Sequence, residues 1–206
     1  MIPNPTTRLS LIAPCIAGLV ALSHSGCNIA GGAYPEKGGT EFLLNKGYSS
    51  LLAERVVQGD ALQPSEIQDL SMLRDVNVRF LLARNPNLPP AAVDLFISDR
   101  NDFVRSGAAR NTSLTEHQLD TLMKDPSHTV ISGLAENPSL SEDRQMRLHH
   151  TRRPSLVCFA MNPNCAQPLR QAILASEDAT SKYWLKVCQD WIDQGIFTKG
   201  EDGRWK

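Results

Sequence analysis

The chain has 206 residues and a formal net charge of −1, and 41% of its residues are hydrophobic. This length suits one compact domain or one short array of repeats. A dedicated nucleic-acid binder would ordinarily be basic, so we expect no nucleic-acid partner. Aromatic residues make up only 6% of the chain. The core must therefore be built mainly from Leu, Val, Ile and Ala, which favours closely packed short helices over a β-sandwich.

The N-terminus has the pattern of an export signal. Arg8 precedes a mostly apolar run, residues 9–22, that is too short to span a bilayer and is followed by small residues before Cys27. With Ser25-Gly26 in front of that Cys, the segment resembles a bacterial lipoprotein signal peptide. An ordinary signal peptide cleaved nearby and a buried N-terminal helix are the alternatives.

The lipoprotein resemblance implies a membrane anchor. Residues 1–26 would be removed, and Cys27 would carry acyl chains such as palmitate that tether the protein to a membrane surface. In lipoproteins of Gram-negative bacteria, Asp after the Cys often retains the protein at the inner membrane. Here the residue is Asn28, which implies the outer membrane, facing the periplasm. Residues 27–45 contain two Gly pairs and a Pro, and we expect a flexible spacer there.

A short phrase recurs along residues 46–178, the predicted helical repeat domain. It reads apolar-Ala-x-Asn followed by Pro or Thr, and its Asn residues are Asn85, Asn111, Asn137 and Asn162. The period is therefore 25–26 residues. A fixed period of this size is typical of an architecture in which each unit buries its apolar face against its neighbours. A fifth copy is indicated by one aligned position, occupied by Leu62, Leu88, Leu114, Leu140 and Cys165.

Each copy is predicted to contain two short helices. The first begins just after the aligned Leu, where Thr115 and Ser141 are good N-caps and Pro64 and Pro90 suit the first helical residue. Apolar residues eight positions after the aligned Leu define its buried face. They are Leu70, Phe96, Leu122, Leu148 and Ile173. A second buried row contains Ile67, Val93 and Leu119, then is broken by Gln145 and Arg170, where Met146 and Leu169 are expected to substitute.

The second helix of each copy is predicted to stop at the Asn. The residue before Pro disfavours the helical region, and Asn tolerates a left-handed terminal conformation. The phrase apolar-Ala-x-Asn-Pro-x-Leu, with a helix after it, resembles the leucine-rich repeat variant family over residues 51–176. The resemblance implies an all-α fold, a right-handed α-solenoid of about five two-helix repeats. That family's founding type holds an iron–sulfur cluster on cysteines before its repeats. Only Cys27 lies there in the mature chain, so we expect no cofactor.

Residues 179–206 are predicted to seal the end of the repeats with a capping helix and a tail. Five residues are spaced so that they share the apolar face of one amphipathic helix, and Gly195 is its expected C-cap. They are Trp184, Leu185, Cys188, Trp191 and Ile192. The tail, residues 196–205, is expected to form a small hairpin against this helix.

The cysteines and histidines give little sign of chemistry. Cys158 and Cys165 occupy core-type positions, and with Cys188 they match no zinc spacing, so no metal site is expected. A disulfide among the three stays open, because exported proteins can oxidise thiols. No catalytic motif is present, and the chain is not predicted to be an enzyme. The alternative is a thiol/redox-active or otherwise enzymatic module, and a third possibility is a spacer without a specific ligand.

Four arginines recur at repeat positions and are the candidate binding residues. Arg79 and Arg105 share one position, and Arg84 and Arg110 share another, so they would line up on one face of an array. We favour a non-catalytic scaffold for a protein partner in the cell envelope, with these four arginines as its contact surface. For the arginines themselves, the favoured interpretation is that they pair with acidic neighbours, namely Asp99, Asp102 or Asp125. The basic stretch at residues 149–153 is expected to be ordinary surface charge.

Overall fold

The computed structural model describes residues 43–45, 47–152, 154–195 and 197–199. The predicted signal segment, the predicted lipidation residue Cys27 and nearly all of the predicted spacer lie outside the described residues, as does most of the predicted hairpin. Within the described ranges the backbone forms helices joined by turns and loops and contains no strand apart from a single bridge residue at position 199, which confirms the all-α prediction. None of the helices in those ranges is both long enough and apolar enough to cross a membrane.

Eleven helices of this described part follow one another between residues 50 and 193. They are Ser50–Gln58 (α1), Pro64–Ser71 (α2), Val76–Ala83 (α3), Pro90–Ile97 (α4), Asp102–Ala109 (α5), Glu116–Leu122 (α6), His128–Glu136 (α7), Glu142–Arg152 (α8), Leu156–Ala160 (α9), Gln167–Ala175 (α10) and Ala179–Asp193 (α11). Residues 43–45 add one helical turn before α1. Two helices therefore fall within each period of the sequence from α2 onward.

The first helix of each copy begins where the sequence indicates. Pro64 and Pro90 are the first residues of α2 and α4, where the absent N–H would have no partner within the helix. Thr115 caps α6, because its hydroxyl accepts from the Gln118 N–H while the Gln118 side chain accepts from the Thr115 N–H at 2.9 Å. The hydroxyl of Ser141, just before α8, accepts from the Arg144 N–H.

The second helices form the interior of the molecule. Six consecutive residues of α3 are buried, and α5 packs on both α3 and α7, while α9 packs on α7 and on α11. The first helices α4 and α6 also contact each other. Helices thus pack against the equivalent helix of the neighbouring copy, as well as against the partner within their own copy.

Two glycines allow the close approach of these second helices. A Cβ atom added at Gly107 would lie 2.7 Å from the carbonyl oxygen of Phe80, and one at Gly133 would lie 2.8 Å from that of Ser106. Both oxygens belong to the preceding second helix. A larger side chain at either position would push the two backbones apart.

The predicted buried rows are largely confirmed, with one correction. The residues eight positions after the aligned Leu are all buried, and Leu169 takes its expected place. Met146 packs partly buried against the core as expected, but Gln145 does not break the row, since it is itself fully buried. The Gln145 amide donates to the carbonyl oxygens of Leu140 and Asn164 and accepts from the Ala166 N–H. Because each of its polar atoms has a partner, this amide can occupy an apolar position.

The amphipathic helix predicted near the C-terminus is α11. Trp184, Leu185 and Cys188 are buried on the face that meets α9 and α10, and Trp191 packs partly buried beside them. The helix ends at Asp193, Gln194 is its cap residue, and Gly195 follows with a positive φ of 68°. The expected terminating glycine therefore lies one position beyond the cap, where the left-handed conformation usually occurs.

Candidate functional site

The four repeated asparagines are buried between copies and form what we call the asparagine ladder: Asn85, Asn111, Asn137 and Asn162. Asn137 shows the pattern. Its amide nitrogen donates to the carbonyl oxygens of Ala109 at 2.7 Å and Asn111 at 2.9 Å, and its amide oxygen accepts from the Ser139 N–H at 2.8 Å. Equivalent bonds of 2.8–3.0 Å are made by Asn111 and Asn162. The ladder thus joins consecutive copies through the same atoms.

The backbone of the ladder residues corrects one expectation. Asn137 follows α7 with φ −74° and ψ 118°, which is extended rather than left-handed. The expected effect of the following proline is confirmed at this residue, because Pro138 favours an extended residue before it. The Asn is needed for its side-chain amide, whose nitrogen donates hydrogen bonds to two carbonyl oxygens of the previous copy. This role is not among those predicted from the sequence, although an unchanged Asn at a constant period was its signal.

Arg79 lies in an internal ion pair. Its side chain is 8% exposed, and that of its partner Asp99, 20 residues later in the next copy, is 12% exposed. The Nε and Nη2 atoms donate to the two carboxylate oxygens at 2.8 and 3.3 Å, and Nη1 donates to the carbonyl oxygen of Leu73 at 2.6 Å. This guanidinium therefore joins the turn before α3 to the turn before α5.

Arg105 repeats the arrangement one copy later. It donates to both carboxylate oxygens of Asp125, at 2.7 and 3.1 Å, and to the carbonyl oxygen of Asp99 at 2.9 Å. The hydrogen bond to Asp125 raises the pKa of Arg105, so the group stays charged. Two of the three acidic neighbours considered from the sequence thus pair with arginine. The third, Asp102, accepts from the Ser127 hydroxyl at 2.7 Å.

The next copy lacks this arginine and has a substitute. Ile131 occupies the repeat position of Arg79 and Arg105 and is buried. Arg152, at the end of α8, donates to the carbonyl oxygen of Asp125 at 2.5 Å. The Asp125 carbonyl oxygen is equivalent to the Asp99 carbonyl oxygen that accepts from Arg105. A side chain from a different helix therefore supplies its hydrogen bond, although Ile131 is apolar.

The other two candidate arginines are also engaged within the chain. Arg110 donates to the Glu136 carboxylate at 2.9 Å and to the Ser106 carbonyl oxygen at 2.9 Å. Arg84 lies over the ring of Phe80, with its guanidinium carbon 5.6 Å from the ring centroid. The structure therefore does not bring the four arginines together as one open basic surface. Arg79, Arg105 and Arg110 link successive copies instead.

A further set of polar contacts joins the first helices. The Gln118 amide on α6 donates to the Asp94 carboxylate on α4 at 2.8 Å. One copy later, Arg144 on α8 donates to Asp120 on α6 at 2.6 Å and also contacts Glu116. The same two repeat positions thus carry an amide–carboxylate contact in one copy and an ion pair in the next.

The late cysteines lie in or beside the core. Cys158 and Cys188 are buried, Cys165 is partly buried, and all three are thiols. Burial raises the pKa of Cys165 to about 11, so it stays protonated near neutral pH and is a poor nucleophile. Within the described ranges, no group of three or more His, Cys, Asp or Glu side chains is placed to hold a metal ion.

An open pocket of about 300 Å³ lies between the turns that precede α3 and α5. Its lining includes Arg79 and Asp99, together with Arg74 and Arg100 from the same two turns. Arg74 and Arg100 are exposed. The pocket therefore places the buried ion pair of Arg79 and Asp99 next to the exposed side chains of Arg74 and Arg100.

The described part of the chain is thus an all-helical protein in which buried asparagines and paired arginines connect neighbouring helix pairs at the period of the sequence. Comparison with known proteins identifies no relative, since no protein-family model, no curated protein and no solved structure matches the chain.

Proposed function

We propose that this protein is a lipid-anchored helical-repeat scaffold that binds another protein in the bacterial cell envelope. The observation that carries the proposal is the asparagine ladder, in which equivalent atoms connect each copy to the one before it. Equivalent contacts between successive units give a constant rotation from unit to unit, the geometry of a solenoid. The resemblance to the leucine-rich repeat variant family supports the same arrangement and a right-handed superhelix.

A scaffold role fits the chemistry of the described residues better than catalysis. The polar groups that recur from copy to copy are used in contacts between copies, and Cys165 is held as a thiol by its raised pKa. Repeat arrays ordinarily act through extended surfaces. Because Arg79, Arg105 and Arg110 are engaged internally, we assign them to holding the turns in place. Partner contact then belongs to exposed residues of those turns.

The solenoid arrangement is tested by deleting one period. Removal of residues 88–113 joins Asn87 to Leu114 and keeps the repeat register, so the shortened chain should remain helical and unfold cooperatively. Removal of residues 88–100 breaks the register and should abolish cooperative unfolding. Circular dichroism with urea titration measures both. If both deletions unfold the protein equally, the copies do not form an array of equivalent units.

The anchor is tested by metabolic labelling with a palmitate analogue. Wild type and Cys15→Ala should be labelled and found with membranes, whereas Cys27→Ala should not, because Cys15 lies within the segment expected to be removed. Equal labelling of Cys27→Ala would reject the lipid anchor.

Partner binding is tested in cells with a photo-crosslinking residue placed at single exposed positions. We expect crosslinks to one protein from positions 74 and 100, in the turns between the two helices of a copy. Positions 87 and 164, exposed in the turns between copies, are the matched controls and should give none. Absence of any crosslinked protein at all four positions would reject the scaffold proposal.

A further inference from the structure

The pocket between the turns before α3 and α5 has a rigid base. Arg79 spans it from below, donating to the Leu73 carbonyl oxygen in one turn and to the Asp99 carboxylate in the other. Asp99 in turn accepts from the Asn101 N–H at 2.8 Å. Both turns are therefore held at a set separation by groups that are largely buried, so the pocket does not depend on a partner for its shape.

The pocket carries an excess of positive charge. Arg79 is neutralised by Asp99, and the remaining charged lining residues are Arg74 and Arg100. Both are exposed, and neither forms an ion pair with another residue in the described part of the chain. Guanidinium groups bind carboxylates through paired hydrogen bonds. The lining also includes Met72, which is 67% exposed, and Leu73. An exposed thioether adapts to varied apolar side chains.

We propose that this pocket binds an acidic peptide segment of a protein partner, with Arg74 and Arg100 contacting its carboxylates and Met72 packing against a neighbouring apolar side chain. The inference rests on the proposed scaffold function and supplies the chemistry of the partner. At about 300 Å³, the pocket is at the lower end of the usual range for ligand sites. It therefore suits one or two side chains of a peptide rather than a folded domain.

The surrounding charges favour a peptide over a polyanion. Exposed acidic side chains, among them Asp69 and Asp94, lie on α2 and α4, the first helices that end at these two turns. An anionic bilayer or a nucleic acid would place many negative charges close to them, and the repulsion would oppose binding. A short peptide can place its carboxylates at Arg74 and Arg100 alone. The apolar lip at Met72 also matches a peptide better than a phosphate ion.

The test uses the purified protein without residues 1–26 and a short fluorescein-labelled peptide in which Glu alternates with Leu. A second peptide replaces every Glu with Gln. Fluorescence anisotropy should show saturable binding of the Glu peptide that weakens as salt is added, and no binding of the Gln peptide. Arg74→Gln with Arg100→Gln should weaken binding roughly a hundredfold, because each of the two lost charge-assisted contacts contributes about a factor of ten.

Lys124→Gln with Arg147→Gln is the matched control, since it removes two exposed positive charges from later copies. This pair should change the affinity by less than about twofold, because neither side chain lines the pocket and exposed charges outside it are screened by salt. The urea midpoint of each variant shows that the fold is intact. Equal loss in the control pair, equal binding of the Gln peptide, or no binding by wild type would overturn the inference.

Phosphate and lipid vesicles, tested with the same purified protein, distinguish the alternative ligands. Displacement of the peptide by inorganic phosphate at constant ionic strength would reject peptide recognition in favour of a simple anion site. Binding of phosphatidylglycerol vesicles that depends on Arg74 and Arg100 would reject it in favour of a lipid surface. If wild type crosslinks a partner in cells but binds no acidic peptide, the pocket inference falls and the scaffold stands. Peptide binding without any crosslink in cells would reject the scaffold role alone.

Discussion

The amide nitrogen of Asn137 donates to the backbone carbonyl oxygen of Asn111 at 2.9 Å, one copy earlier in the chain. Asn111 makes the same bond to Asn85, and Asn162 makes it to Asn137, both at 2.8 Å. Carbonyl groups at the ends of buried helices need partners, and the side chain of the next copy supplies them. The repeated Asn therefore fixes the spacing between copies.

Replacing Asn137 with Ala should destabilise the protein strongly. Two buried carbonyl oxygens and the Ser139 N–H lose their partner, and we expect a loss of about 3 kcal/mol in the free energy of unfolding. Asn87→Ala is the control. Its side chain is exposed and donates only to the Gly59 carbonyl oxygen, so the loss should stay below about 1 kcal/mol. Urea unfolding followed by circular dichroism measures both, and similar losses would contradict the ladder's role.

Arg79→Met should leave the Asp99 carboxylate largely buried without its guanidinium. Both side chains of this pair are about nine-tenths covered, and removing one partner of such a pair costs about 3–5 kcal/mol. Adding Asp99→Asn should recover part of the loss, so the double variant will be more stable than the sum of the two single effects predicts. Arg74→Met, at an exposed position, is the control and should be nearly neutral. Strict additivity of the two losses would argue against a coupled pair.

Gly133→Ala should strain the contact between α5 and α7. The added methyl would lie 2.6 Å from Arg110 Nη1 and 2.8 Å from the Ser106 carbonyl oxygen, and overpacking of this kind costs about 1–3 kcal/mol. The shift of the Arg110 guanidinium should also weaken its ion pair with Glu136. Ser132→Ala, the adjacent residue on the same helix, is the control. Equal thermal midpoints for the two variants would show that the helices can separate without cost.

The cap of α11 should make stability depend on pH in the acidic range. Hydrogen bonds from Ser181, chiefly from its hydroxyl, lower the pKa of Asp178. A carboxylate whose pKa is lower in the folded state stabilises the fold above its unfolded pKa, about 3.9, and this contribution is lost as the pH falls through the folded value.

We therefore expect Asp178→Asn to lower the thermal midpoint near neutral pH and to have little effect once the pH is well below about 3.9. Asp69→Asn, at an exposed position on α2, should produce no comparable pH-dependent difference. Thermal melts of the three proteins across the acid range measure this. A difference between Asp178→Asn and wild type that stays constant down to the lowest pH would contradict the assignment.

Deleting residues 181–206 should expose the last copies and promote aggregation. The truncation removes Trp184, Leu185 and Cys188 from the face that covers α9 and α10, and an uncovered end of a repeat stack is poorly soluble. A chain that ends after Gly195 keeps α11 and should scatter light no more than the intact protein does. Equal solubility of the two truncations would show that α11 is not a cap.

Local sequence features predicted the helices well. Pro at the first helical residue, and Thr or Ser just before it, set the starts of the first helices, since capping depends only on nearby residues. The apolar spacing gave the buried faces for the same reason. The exception is Gln145, whose burial depends on carbonyl and N–H groups of residues 140, 164 and 166. A helical pattern alone could not reveal those partners.

The candidate site depended far more on the tertiary structure. The common repeat position of Arg79 and Arg105 is visible in the sequence, and the favoured pairing with acidic neighbours includes Asp99 and Asp125. Only the packing of successive copies decides between an exposed arginine and a paired one, because the partners lie 20 residues apart. In the next copy Ile131 stands at this position, and Arg152 donates to the turn carbonyl oxygen of Asp125 instead. That contact likewise depends on where α8 ends.

The sequence by itself determined that the chain is helical and that its units recur every 25–26 residues, because periodicity and capping are properties of short segments. The tertiary structure decided what the recurring residues do. It buried the asparagines against carbonyl groups of the previous copy and paired the arginines internally. It also left Arg74 and Arg100 exposed beside a pocket. Burial and pairing arise from contacts between distant segments, which no local pattern encodes.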